Sequence, residues 1–335
     1  MNTFNISRRH LLAMGTVGAA LAATGAVRAQ GASTPISIAM SSTSLGFAPL
    51  RIADRGGFFK KHDLDVSIKT MDNGNLAMAA LLSGSVNFAT PSLGEALLAR
   101  ARGRPVVIIS NINRGMGNSL ILSRKVADRL GVGPDSPLEA RLKALDGVKI
   151  AFASATSPTY AAFGGAVTSV GAKVDPIYMG QQAMIPAIES GIVDGIVTSP
   201  PNWVQPVVNG TAYLFVGGGE VPANINTGST TAVQALEEYA NDNPHIIKAV
   251  QDALADAVNM IATETDKAEE IVKTLYPKVD PAGVSLAFRQ GIPGWVNNSL
   301  RPDDITREVK ILKSSGQAIP GIEDVDPAVL LKYSR

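Results

Sequence analysis

Between residues 36 and 220, short apolar runs alternate with stretches whose apolar residues recur every three to four positions, as expected of strands interleaved with helices. The run at 192–197 shows the pattern most fully. It follows Glu189-Ser190-Gly191, where glycine suits the left-handed residue that ends a helix. It leads into Thr198-Ser199-Pro200-Pro201, a cap and proline that start the next helix. Residues 82–92 repeat this order, with Ser83-Gly84, an apolar strand at 86–89, then Thr90-Pro91-Ser92. A second echo precedes each copy: Ser37-Ile38-Ala39-Met40-Ser41-Ser42-Thr43-Ser44 against Lys149-Ile150-Ala151-Phe152-Ala153-Ser154-Ala155-Thr156-Ser157. The chain therefore predicts two copies of a β-α-β-α-β unit, roughly 110 positions apart. Each copy should form a parallel sheet with right-handed crossovers.

In the first copy, helices are expected at 47–59, 73–82 and 92–102 between strands at 37–40, 64–69, 86–89 and 106–110. Residues 111–118 carry two glycines and no periodicity, and 119–122 resumes as a strand, so this stretch reads as a first passage between lobes. The second copy runs over 148–216 and closes on Gly217-Gly218-Gly219, with a return passage at 224–230. Beyond it helices are expected at 231–240, 244–262, 264–275, 281–290 and 303–315, covering the back of the first lobe. These readings assign 36–112 plus about 228–335 to one lobe and about 118–220 to the other. The hinge crossings fall near 111–118 and 217–228, with a ligand cleft between the lobes.

Composition narrows the function. Ser7-Arg8-Arg9-His10-Leu11-Leu12, an Ala- and Gly-rich apolar run and Val27-Arg28-Ala29 predict a twin-arginine export signal over residues 1–29, removed after about Ala29. The mature protein is then expected in the periplasm. The leader holds three of the 30 basic residues and none of the 29 acidic ones, so the remainder is slightly acidic. That balance argues against a nucleic-acid partner. The absence of cysteine removes disulfides, thiolate metal sites and cysteine nucleophiles together. No metal-ligand spacing, nucleophile elbow or phosphate loop is present, so neither a metal, a cofactor nor an enzymatic activity is expected.

In an open parallel sheet, ligands sit at the carboxyl ends of the strands. Those ends here carry Ser41, Ser42 and Ser44; Thr90, Pro91 and Ser92; Ser154, Thr156 and Ser157; and Ser199. Each loop leads into a helix whose free N–H groups and positive dipole end would face the cleft, a setting suited to a small anion or a polarised heterocycle. The competing reading makes these hydroxyls ordinary helix caps. Phe47, Tyr160 and Trp203 fall in the first turns of the same helices and could wall an organic group. Arg114 in the first crossing could pair with an anion, and Asn226 stands in the return crossing.

Gly46-Phe47-Ala48-Pro49-Leu50 and Ala53-Asp54-Arg55-Gly56-Gly57-Phe58-Phe59-Lys60-Lys61-His62-Asp63-Leu64-Asp65-Val66, with the two Ser-Gly strand segments, resemble solute-binding proteins of ABC importers for nitrate, sulfonates, taurine and thiamine-pyrimidine precursors. The resemblance covers about residues 36–220. It implies a type II periplasmic binding protein fold, in which two α/β lobes, each a parallel-rich sheet flanked by helices, close on a ligand. It also implies a monomer that captures a small organic anion, a sulfonate or carboxylate, and delivers it to a permease and its ATPase. The alternatives are a ligand-binding input to a sensor system and a binder of a neutral pyrimidine-type heterocycle. Pyrimidine-precursor synthases of the same superfamily carry a Cys-rich motif that this chain lacks, which argues against an enzyme of that kind.

Overall fold

The computed structural model describes residues 33–334 except 115–116, 156, 158, 223–224, 226–230 and 315–318, so the export signal expected at 1–29 lies outside the described residues. Its strands are β1 (Thr34–Met40), β2 (Leu64–Thr70), β3 (Phe88–Ala89), β4 (Val106–Asn113), β5 (Ser119–Ser123), β6 (Lys149–Phe152), β7 (Asp175–Tyr178), β8 (Gly195–Thr198), β9 (Ala212–Gly217) and β10 (Thr231–Leu236). They form two five-stranded sheets, ordered β2-β1-β3-β10-β4 and β7-β6-β8-β5-β9. Replacing each strand by its counterpart in the repeat converts one order into the other, with β5 and β10 in the same place. This is an α/β fold of two lobes.

Both sheets are mixed, although the pattern predicted parallel ones. β1 pairs in parallel with β2 and β3, and β6 with β7 and β8. β10 runs antiparallel to β3 and β4, and β5 antiparallel to β8 and β9. The antiparallel member of each sheet is the strand that has crossed from the other lobe.

β10 also corrects the helix expected at 231–240. Thr-Ala-Val-Gln-Ala-Leu contains good helix formers, but its four central residues are buried between strands on both sides, and only Glu237–Asp242 turns into helix. Tertiary burial outweighs a propensity difference that is under about 1 kcal/mol per residue. The helix expected over 47–59 is likewise divided into a 3₁₀ turn at Leu45–Phe47 and helices Ala48–Arg55 and Phe58–Lys61. Gly57 at φ 76° makes the break, a conformation only glycine adopts freely. β8 starts at Gly195, leaving Ile192 exposed in the preceding turn. Gly191 does end the helix Gln181–Ser190 in the left-handed conformation, at φ 76°.

The long helix Pro244–Thr263 buries Ile246, Ile247, Val250, Ala253, Leu254, Ala257 and Ile261 along one stripe within the core shared with β1 and β4. Among the described residues no helix is long and apolar enough to cross a membrane. Loops of the two lobes touch directly. Leu45 N donates to the carbonyl of Pro200 at 2.9 Å, and Ser42 Oγ donates to Gln181 Oε1 at 2.9 Å.

Candidate ligand-binding cleft

The strand ends of both sheets converge on one cavity of about 590 Å³. That is the size of site that encloses an organic molecule, and far larger than an inorganic oxyanion needs. Its wall includes Ser41, Ser42, Ser44, Phe47, Ser92 and Arg114 from the first lobe and crossing, with Ser154, Ser157, Ser199 and Trp203 from the second. Three other expected residues stand elsewhere. Thr90 is fully buried, its Oγ1 accepting from Ser41 N at 3.1 Å and its carbonyl accepting from Ser41 Oγ at 2.6 Å. Pro91 turns its carbonyl to Gln234 Nε2 at 3.1 Å, behind the site. Tyr160 packs edge-on between Phe152 and Tyr178, with ring centroids 5.1 and 5.7 Å away. Thr156 and Asn226 lie outside the described residues.

The hydroxyls in the wall divide by their hydrogen bonds. Ser44 Oγ accepts from Gly46 N at 3.1 Å and caps the 3₁₀ turn. Ser92 Oγ accepts from Glu95 N at 3.3 Å, while Ser92 N donates to Glu95 Oε2 at 2.7 Å, completing a capping box on the helix Leu93–Ala101. Ser157 Oγ donates to the Ser154 carbonyl at 2.9 Å and accepts from Tyr160 N at 3.2 Å. These three are helix caps first. Ser199 differs: it is 4% exposed and its Oγ has no partner among the described residues. Trp203, 6% exposed, likewise leaves its indole Nε1–H unpaired. Both residues line the cavity while these two atoms are covered within its wall, where a buried donor without a partner costs about 1–3 kcal/mol.

The C-terminal helices do more than back the first lobe. Helix Pro281–Val296 presents Ala287, Gln290, Gly291 and Gly294 to the cavity at one helical face, with Trp295 beside them. Small residues there let the helix approach the crossing: a Cβ on Gly294 would come within 2.5 Å of the Arg114 carbonyl. Sequence reasoning missed this wall, since Ala and Gly at helical spacing read equally as close packing.

Two ionisable side chains line the cavity among the described residues, Arg114 and Glu95. Arg114 Nη2 lies 2.6 Å from Asp304 Oδ1, a buried carboxylate that Arg307 also approaches at 3.5 Å. The expected anion partner thus already has a carboxylate of its own. Glu95 was not singled out as a site residue, although its position three residues after Ser92 marks a capping box. Burial raises the pKa of its carboxyl, opposed by the backbone and side-chain hydrogen bonds from Ser92.

A profile of the NMT1-like family matches residues 20–276 of the chain. YtlA of Bacillus subtilis (strain 168) is 30% identical over 95 residues, 28% of this chain and 28% of that protein's length. Among solved structures, a protein from Bordetella bronchiseptica RB50 superposes with a TM-score of 0.74 at 23% identity, covering 90% of this chain and 94% of its own. The alkanesulfonate-binding protein SsuA of Xanthomonas axonopodis pv. citri, bound to MOPS, gives 0.70 at 15%, covering 87% and 97%. The periplasmic nitrate-binding protein NrtA of Synechocystis PCC 6803 gives 0.69 at 18%, covering 90% and 86%. At these identities the structural likeness concerns the fold, and the fold is that of periplasmic binding proteins.

Proposed function

We propose that this chain, which belongs to the NMT1-like family, is the periplasmic substrate-binding component of an ABC importer. In this reading it is exported with loss of residues 1–29, closes its lobes on a small organic molecule and delivers it, as a monomer, to a permease and its ATPase. One observation carries the reading: strand-end loops of both lobes line one cavity of about 590 Å³, with hydroxyl, amide and indole-bearing residues in its wall. The names of SsuA and NrtA, an alkanesulfonate-binding and a periplasmic nitrate-binding protein, support a solute-binding role by analogy of fold. The cavity volume favours an organic ligand over an inorganic ion. An organic sulfonate or carboxylate could use the cleft's donors, although Arg114 offers less to it than an unpaired arginine would.

The test is thermal unfolding of the chain lacking residues 1–29 against sulfonates, carboxylates, inorganic anions, amines, amidines and pyrimidines. A ligand at about a hundred times its Kd adds roughly 2.7 kcal/mol, enough to raise the midpoint by a few degrees. A shift confined to one organic class is the expected result. No shift with any class, after unfolding and refolding to strip retained ligand, counts against the reading.

A further inference from the structure

We propose that Glu95 determines ligand specificity in this cavity by accepting a hydrogen bond from an N–H-bearing group of the ligand, so that the cleft selects an amine, amidine or amide over a simple organic anion. The inference rests on the binding function proposed above and names the chemistry of its ligand.

The geometry around the carboxyl is specific. Oε2 takes both bonds from Ser92, N at 2.7 Å and Oγ at 3.0 Å. Among the described residues Oε1 accepts none, and no basic side chain pairs with Glu95. The carboxyl packs over Gly74 so closely that a Cβ there would lie 2.0 Å from Oε2 and 2.4 Å from Oε1. Glycine at position 74 therefore leaves the space that the carboxyl fills, and the group is held at the wall.

The cavity's other charge does not offset Glu95, because Arg114 is matched by Asp304. An anionic ligand would bring a second negative charge into a partly dehydrated space beside a carboxylate, which is unfavourable. A ligand N–H aimed at Oε1 supplies the missing donor, and a charged donor strengthens that bond. In the second lobe the requirement is reversed: the indole N–H of Trp203 can only donate and the Ser199 hydroxyl can donate, both unpaired among the described residues and covered in the cavity wall, so that a small turn of either side chain would offer a donor. The matching ligand carries N–H donors at one end and acceptors at the other. The indoles of Trp203 and Trp295 line the same space and suit a flat or apolar middle.

Benzamidine and benzoate are nearly the same shape with opposite charge and opposite hydrogen-bonding capacity, so calorimetric titration of both into the parent and Glu95→Gln isolates the carboxyl. Glutamine also serves the third position of a capping box, which keeps the helix start intact. The parent should prefer benzamidine, and Glu95→Gln should weaken benzamidine at least tenfold while leaving benzoate unchanged or tighter. Benzamidine affinity should fall as Glu95 is protonated at lower pH, and this dependence should vanish in the variant. Equal benzamidine binding by parent and variant overturns the assignment. So does a preference for benzoate that grows as pH falls, which would mean a protonated Glu95 donating to an anion.

Native mass spectrometry of the protein as purified from cells gives the second readout. A retained N–H-bearing molecule that Glu95→Gln loses supports the role of Glu95, whereas a retained anion without N–H groups refutes that role and leaves the binding function standing. No retained molecule together with no affinity for either probe refutes both.

Discussion

Ser157 and Ser199 bring the same hydroxyl to the same cleft with different consequences. Ser157 Oγ is engaged with the Ser154 carbonyl and Tyr160 N, so Ser157→Ala should cost about 1 kcal/mol of stability and little ligand affinity. Ser199 Oγ makes no hydrogen bond among the described residues. Ser199→Ala should leave the unfolding midpoint level or higher and weaken ligand binding by about 1 kcal/mol, roughly fivefold. Calorimetry with a ligand from the thermal screen, paired with unfolding curves, checks both; the reverse ranking would move the site away from Ser199. A different residue governs pH dependence. Glu308 is fully buried, its Oε2 lacks a partner among the described residues, and burial pushes its carboxyl up to about 8. The native state then holds a proton that the unfolded state releases near pH 4.5. This contribution to stability is complete below 4.5, declines as pH rises towards 8 and is constant above. The full effect is about 5 kcal/mol as an order of magnitude. Glu308→Gln should flatten urea-determined stability across that window and stabilise the protein at pH 8. An unchanged slope would show that Glu308 is ionised in the fold.

At the scale of elements, the repeat was legible because it rests on local chemistry: a left-handed glycine, an apolar run and a strand end of hydroxyl residues and proline recur in order at Gly84 and Gly191. What was not legible depends on neighbours far away in the chain. β10 has a helical composition and becomes a strand because β3 and β4 leave a space between them. Helix Pro281–Val296 gave an apolar pattern but no sign of which face would meet the cleft. The site was half legible for the same reason. Strand ends could be located, yet whether a hydroxyl caps a helix or awaits a ligand is decided by backbone a few ångströms away, and Glu95 was hidden by serving as both cap and wall. The helix–crossing contact makes its own prediction. A methyl at Gly294 meets the Arg114 carbonyl at 2.5 Å, beside the bond from Arg114 N to the Gly294 carbonyl at 2.8 Å. Gly294→Ala must push the helix off the crossing, at a cost of about 1–3 kcal/mol. It should also weaken every ligand, since the wall moves as a unit. A denaturant midpoint equal to the parent's would mean that the crossing yields freely.

For the whole molecule the proposed function requires two lobes to act as one clamp. The end of β4 and the start of β10 meet at Asn113, which faces Thr231, accepts from Thr231 N at 3.1 Å and donates to the Gly46 carbonyl at 3.1 Å. Under the proposed function, crossings joined at one point would serve as the hinge about which the lobes rotate. On that proposal the closed arrangement is held at the rim, where Ser42 Oγ donates to Gln181 Oε1 and Leu45 N to the Pro200 carbonyl. Gln181→Ala removes one of these bonds, raising the free energy of the closed state by about 1 kcal/mol, near fivefold in its population. Apparent affinity scales with the competent fraction, so every ligand should weaken by the same factor, whatever its class. A side chain that touched the ligand would instead discriminate among ligands. The measurement is a set of dissociation constants for several chemically distinct ligands, in the parent and Gln181→Ala, with small-angle scattering to follow compaction. A uniform factor with compaction shifted to higher ligand concentration identifies Gln181 as a rim latch. Factors that differ from ligand to ligand would reassign it to ligand recognition and leave closure to the Leu45–Pro200 bond.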